Sequence, residues 1–185
     1  MKRTAGSRAG AAERSEDMAH RIAVVTGSPR VKGNSAMLAA AFIEGAQAAG
    51  CEVVRMDAGR AHINGCLGCE YCFAHEGACC QDDDMQEFYP LLRTCDTIVY
   101  VTPIYTFSWP AQIKAFIDRM FCGIAKPFGI AQAGLLTCYE DKDASIAQHL
   151  VNTYRAATAY CGWGNIGEVC VNGVYEKGAI EGNPG

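Results

Sequence analysis

Apolar and polar positions change period repeatedly along this chain. Arg21 to Thr26 (RIAVVT) is a short β-branched apolar run that ends in Gly27-Ser28-Pro29, and Asn34 then opens the Ala-rich helical stretch NSAMLAAAFIEGAQAAG. A second strand is predicted at Glu52 to Met56 (EVVRM), followed by a cysteine-rich loop and a helix from Asp83 that Pro90 must bend or break. Thr97 to Thr102 (TIVYVT) reads as a third strand. It leads through PIYTFSW into the helix PAQIKAFIDRMF, where Pro110 suits a first helical turn. A strand at Ala131 to Cys138, a helix near Ala144 to Ala159 and a strand at Ile166 to Val174 complete the pattern.

Strands and helices alternating at this spacing predict an α/β domain: a parallel sheet with helices on both faces, because right-handed crossovers leave few other solutions. Ligands of such sheets sit beyond the carboxyl ends of the strands. The loops after Thr26, Met56, Thr102 and Thr137 are therefore the ones that carry function.

Composition narrows the class. The chain has 185 residues, 50% hydrophobic and 19% charged, enough for one compact domain. A net charge of −4 excludes a general nucleic-acid binder, which needs a basic face. No run is long and apolar enough for a membrane span, and the N-terminus lacks the apolar core of a signal peptide. Eleven cysteines, an odd number, argue against a disulfide framework and for a reducing, cytoplasmic setting. Residues 1–19 have nothing to bury and are expected to be disordered, with Met18 the expected physiological start. The domain is expected over residues 20–178, with its cysteine-rich loop at 60–82 and a tail at 179–185.

Two loops have the chemistry of a ligand site. GSPRVKGNS (Gly27 to Ser35) can converge backbone N–H groups on an anion, with the following helix pointing its positive end at the same place. A nucleotide-triphosphate P-loop is excluded, because Asn34 stands where its lysine belongs, and GxGxxG is absent. What remains suits a single phosphate, with Ser28, Asn34 and Ser35 as donors and Arg30 as charge partner. A plain Gly/Ser turn is the alternative. In TPIYTFSWPAQ, Tyr105, Phe107 and Trp109 in a Pro-stiffened loop could sandwich a flat ring, or only cap the core.

Five cysteines fall between Cys66 and Cys80, spaced Cys66-x2-Cys69-x2-Cys72-x6-Cys79, with Cys80 as an alternative fourth thiol. Thiols at two-residue gaps wrap one compact object, the arrangement of [4Fe–4S] cubanes. Reduced thiols, a labile disulfide and zinc are the other readings, although zinc sites more often use two pairs separated by a longer arm. Cys51, Cys95, Cys122, Cys161 and Cys170 read as small buried residues. His62 and His75 read as solvated side chains, Asp82 to Asp84 as negative charge at a helix N-terminus, and Lys114, Asp118 and Arg119 as surface ion pairing.

Together, GSPRVKGNS, the CxxCxxC loop, DDDM and TPIYTFSWPAQIKAFIDR closely resemble the NADPH-dependent FMN reductase and iron–sulfur flavoprotein family, within the flavodoxin-like superfamily. The resemblance runs from about Ile22 to about Gly178. It implies a three-layer fold with a five-stranded parallel sheet and FMN at the switch point. By matching positions, Ser28, Arg30, Gly33, Asn34 and Ser35 would hold the FMN phosphate. Pro103, Ile104, Tyr105, Thr106, Phe107 and Ser108 would line the isoalloxazine ring, and Thr137, Cys138 and Tyr139 would form a third flavin-side loop. Cys66, Cys69, Cys72 and Cys79 would ligate a cluster.

The resemblance implies an FMN-dependent NAD(P)H oxidoreductase of the FMN or quinone reductase type, whose chemistry the flavin carries without a side-chain acid or base. The alternatives are an electron carrier using FMN plus a [4Fe–4S] cluster, and a redox-sensing thiol or flavin-binding module without turnover. Partners are then a small-molecule electron donor and acceptor, or a ferredoxin-like protein. The family usually continues past VYEKGAIEGNPG into a final helix, so a truncated chain or a partner subunit covering that face, as in a homodimer or homotetramer, is expected.

Overall fold

A computed structural model describes residues 19–183. The expectations for residues 1–18, including Met18, and for the last two residues lie outside that range. Five parallel strands, β1 (Arg21–Thr26), β2 (Glu52–Met56), β3 (Thr97–Pro103), β4 (Gln132–Cys138) and β5 (Gly164–Val171), form one sheet in the order β2-β1-β3-β4-β5. This is the flavodoxin-like order, and the predicted α/β class stands. The helices are α1 (Asn34–Ala48), α2 (Tyr71–Ala74), α3 (Met85–Thr94), α4 (Ala111–Arg119), α5 (Cys122–Ala125) and α6 (Gln148–Cys161), the last preceded by a 3₁₀ turn at Ala144–Ala147.

Central strands of a parallel sheet bury both faces, and β1 and β3 are apolar almost throughout for that reason. Ile22, Val24, Val99, Val101 and Leu136 face α1, where they meet Leu38, Ala39, Phe42 and Ile43. Ala23, Val25, Ile98, Tyr100, Ala133 and Leu135 face the other way, against Met85, Tyr89 and Leu92 of α3, Ile113 and Phe116 of α4, and Leu150, Val151 and Tyr154 of α6. Each fully buried aliphatic among them contributes roughly 1.5–3 kcal/mol. The edge strand β5 is mostly exposed. Its Ile166 and Val169 stay 48% and 45% exposed.

The structure decides between open alternatives for Pro90 and Trp109 and corrects the expectation for two cysteines. Pro90 lies inside α3 without breaking it, because a proline removes only one backbone donor and the apolar face of Met85, Tyr89 and Leu92 continues across it. Trp109 is buried and packs edge-on against Tyr100, so it belongs to the core and not to a ring sandwich. Cys161 and Cys170 are exposed, since α6 ends and β5 runs at the open margin of the sheet, whereas Cys95 and Cys122 are buried and Cys51 is half-buried. Among the described residues no helix is long and apolar enough to cross a membrane.

Candidate functional site

The loops after β1 and β2 are laced together at the carboxyl edge of the sheet. Gly27 N–H donates to the Val101 carbonyl at 2.8 Å, and Gly59 N–H donates to the Thr26 carbonyl at 2.8 Å. A Cβ on Gly59 would come within 2.6 Å of the backbone of Gly27 and Ser28, so only glycine allows this approach. Thr26 Oγ1 donates to Asp57 Oδ1 at 2.7 Å, and Arg55 and Arg60 bind the same carboxylate. Burial alone would raise the Asp57 carboxyl. The hydrogen bonds from Thr26, Arg55 and Arg60 outweigh it and hold the group below its ordinary value.

Of the residues expected at the phosphate, Ser28, Gly33, Asn34 and Ser35 are buried and Arg30 is exposed. Ser28 Oγ accepts from Arg30 N–H at 3.2 Å and shapes the turn. The Gly33 carbonyl accepts from Ala36 and Met37 and opens α1, a 15-residue helix with no acidic residue in its first turn, so its dipole is left for an anion. Asn34 is not free to donate to a ligand. Its Nδ2 donates to the carbonyl of Glu176 at 2.9 Å and its Oδ1 accepts from Gly178 N–H at 3.0 Å. Arg30, Lys32, Gly33, Asn34, Tyr175 and Lys177 together line a cleft of about 200 Å³. The sequence reading missed Lys32, Tyr175 and Lys177. Lys32 and Lys177 carry only their charge as a signal, and Tyr175 carries none.

The aromatic loop is a tight turn. Tyr105 and Ser108 exchange both backbone hydrogen bonds at 3.0 Å, and the two residues between them, Thr106 and Phe107, have φ of 47° and 63°. Two non-glycine residues in the left-handed region cost about 1–3 kcal/mol each, a strain that concentrates at functional sites. The turn presents Phe107, 54% exposed, opposite His149 of α6 at 6.4 Å between ring centres. Tyr105, Thr106 and Ser108 are exposed beside it, while Pro103 and Ile104 are half-buried.

The third expected loop is different in kind. Thr137, Cys138 and Tyr139 are all buried. Cys138 packs with Val171 and Val174, and burial pushes its thiol up to about 11 against a lowering hydrogen bond with Ser35. Tyr139 belongs to the main core. Thr137 alone offers unused chemistry, because its hydroxyl is buried without a hydrogen-bond partner.

The cysteine loop is held by a polar frame around a buried ion pair. Arg119 donates to both oxygens of Asp83, at 2.6 and 3.1 Å, and to the carbonyl of Asn64 at 3.1 Å. Asp83 also accepts from Asn64 N–H, and Gln81 Nε2 reaches the Gly65 carbonyl. Arg119 was expected in surface ion pairing. Of that set only Lys114 and Asp118 pair on the surface, and Arg119 turns inward. Asp83 and Asp84 likewise serve the loop more than the helix start, Asp84 by accepting from His62 N–H at 2.7 Å. His75 is exposed, as expected of a solvated side chain, and stacks on Tyr71 with ring centres 3.5 Å apart.

Cys66, Cys69, Cys72, Cys79, Cys122 and Arg119 line one small cavity of about 30 Å³. Cys122 is a small buried core residue, as expected, and its position in the core also brings it to this cavity. Cys80 is exposed on the outer side, its Sγ 3.8 Å from that of Cys69. A hydrogen bond from Tyr71 N–H and the contact with Cys80 lower the Cys69 thiol, while the same contact raises Cys80. Among the described residues no three His, Cys, Asp or Glu side chains converge on a single metal point. A cavity lined by thiols matches the donor class of an iron–sulfur cluster.

Phe121 also lines the cavity, which lies at the end of α4, a nine-residue helix of about 13 Å that starts after the aromatic turn.

The sheet has the flavodoxin-like order, with a cationic cleft and a strained aromatic turn at its carboxyl edge. Over residues 20–169 the sequence matches the NADPH-dependent FMN reductase family, and the chain belongs to it. It is 38% identical over 96 residues to an iron–sulfur flavoprotein of Archaeoglobus fulgidus, covering 52% of this chain and 43% of that protein. It is 33% identical over 99 residues to an iron–sulfur flavoprotein of Methanosarcina thermophila, covering 54% and 51%. The chain thus spans about half the length of the curated relatives it matches. Its fold is similar to an NAD(P)H:quinone oxidoreductase from Methanothermobacter marburgensis, with TM-score 0.72 at 19% identity over 90% of this chain and 91% of that one. An azoreductase from Bacillus anthracis matches with TM-score 0.62 at 15% identity, over 83% and 87%.

Proposed function

We propose that the protein is an FMN-dependent NAD(P)H oxidoreductase. The observation that carries this reading is the juxtaposition of the cationic cleft of Arg30, Lys32 and Lys177 with the exposed Tyr105–Ser108 turn on one edge of the sheet. The cleft suits a phosphate and the turn suits a planar ring. FMN, when bound, supplies a centre that takes hydride from NAD(P)H and passes electrons to a second molecule such as a quinone or free flavin. The residues do the rest: the laced loops of Gly27, Ser28 and Gly59 fix the phosphate end, and the preset turn at Thr106 and Phe107 removes an ordering cost from ring binding.

A second reading is an electron carrier in which a [4Fe–4S] cluster joins FMN, with a ferredoxin-like protein as donor. The thiol-lined cavity and the iron–sulfur flavoprotein relatives favour it. Cys66, Cys69, Cys72 and Cys79 would hold the cluster, with Cys80 outside. The half-exposed Ile166 and Val169 support an assembly of two or four copies.

Anaerobic purification followed by flavin and iron assay tests both readings. Bound FMN with flavin-dependent NAD(P)H oxidation and no iron is the result expected of the reductase. About four irons per chain with broad absorbance near 400 nm would replace it by the carrier. Protein that binds no added FMN ends both.

A further inference from the structure

The segment from Asn172 to Asn183 folds back over the phosphate loop and is fastened on both sides of Lys177. Upstream, Asn172 Nδ2 donates to the Lys142 carbonyl at 2.9 Å, Gly173 N–H to that of Asp141 at 3.0 Å and Val174 N–H to that of Tyr139 at 2.9 Å. Val174 is buried against Cys138 and Val171, and Ile180 packs on the same cluster downstream. Asn183 Nδ2 closes the segment on the Asn172 carbonyl. Across the middle lies Asn34, whose amide donates to the Glu176 carbonyl and accepts from Gly178 N–H. Gly178 has φ of +88°, a conformation that aims its N–H at Asn34 and that a larger residue would resist.

Asn34 therefore spends its amide on the chain residues flanking Lys177. Lys177 reaches the cleft shared with Arg30, Lys32 and Tyr175. A phosphate monoester carries about −1.5 to −2 charges at neutral pH, more than one side chain balances. An anion in the cleft has Arg30 and Lys32 from the loop on one side and a third cation from a chain segment far away in sequence on the other.

We propose that this returning segment is part of the cofactor site, with Lys177 a recognition residue for the phosphate monoester and Asn34 the positioning residue that holds Lys177 over the loop. The proposal rests on the FMN reading and adds to it a residue that discriminates FMN from riboflavin, which has the same ring and no phosphate.

The test is the affinity of the flavin-free full chain for FMN and for riboflavin, read by flavin fluorescence. Lys177 is exposed, so its replacement leaves the fold in place. Lys177→Ala should weaken FMN binding about tenfold or more, the loss of one charge-assisted contact, and leave riboflavin unchanged. Lys177→Arg should keep most of the preference. Asn34→Ala should lower the same preference and also open the segment near Lys177 to limited proteolysis. A Lys177→Ala protein with the wild-type ratio of FMN to riboflavin affinity overturns the proposal alone. Wild-type protein that binds neither flavin overturns the FMN reading and the proposal with it.

Discussion

Asp83 and Arg119 form a two-pronged ion pair with side chains only 0% and 1% exposed, joining the foot of the cysteine loop to the end of α4. Burial would lower the Arg119 guanidinium, and the Asp83 carboxylate holds it above its ordinary value instead. Arg119 also accepts from Tyr89 Oη through its carbonyl at 3.1 Å, so loop, α3 and α4 share one hub. Cutting one partner leaves a buried charge unanswered, which typically costs about 3–5 kcal/mol. Asp83→Ala should lose stability of that order in urea unfolding and expose Cys72 and Cys79 to thiol reagents. An unchanged midpoint with unchanged thiol reactivity would remove the hub from the account.

The same pair sets an acid limit. Burial would raise the Asp83 carboxyl, but hydrogen bonds from Arg119 and from the N–H groups of Asn64 and Met85 bring it below its ordinary value. A carboxyl lower in the folded than in the unfolded chain stabilises fully above the unfolded value of about 3.9 and loses that contribution as pH falls through the folded one. Stability should therefore hold above about pH 4 and fall below it. In Asp83→Asn this part of the acid dependence should be missing.

Gly59 is a contact point between the loops of β1 and β2. Gly59→Ala places a methyl group against the carbonyl oxygen of Ser28, where backbone must move. Overpacking of this kind costs about 1–3 kcal/mol. The expected result is a lower Tm and weakened FMN binding, measured by thermal unfolding and flavin titration.

Thr106 and Phe107 separate strain from binding. Thr106→Gly should raise stability by about 1 kcal/mol by relieving a left-handed β-branched residue. Phe107→Ala should weaken FMN and riboflavin alike, roughly threefold to tenfold, because an aromatic pair contributes about 0.5–1.5 kcal/mol irrespective of the phosphate. That pattern is the opposite of the one expected at Lys177.

Cys69 and Cys80 stand 3.8 Å apart at sulfur, both exposed, and Cys69 has the lowered thiol. Treatment of cluster-free protein with diamide should join them, diamide taking two electrons and two protons as the S–S bond forms. Peptide mass mapping reads the product. Cys80→Ser should abolish it and leave iron incorporation intact, whereas Cys72→Ser should lower incorporation if the carrier reading holds.

Fold class and strand positions were legible because their physics is local: β-branched runs such as Ile98 to Val101 can bury both faces only inside a parallel sheet. The phosphate loop and the cysteine spacing were equally visible, since each is written in consecutive residues. What the side chains do was not. Trp109 and Phe107 lie two positions apart in one loop, yet one caps the core and the other faces out, a choice made by the positive φ of Thr106 and Phe107.

Arg119 looks like a surface residue in AFIDRMF until the Asp83 loop folds over it. Cys122 joins the other thiols, and Lys177 the phosphate cleft, only across distances in sequence that no local pattern encodes. The sequence by itself determined the sheet, its helical layers and the loops that carry chemistry, because propensity and periodicity act over neighbours. The tertiary structure alone decided which charges are buried, which thiols share a cavity and what Asn34 holds, because burial and long-range pairing exist only once the chain has closed on itself.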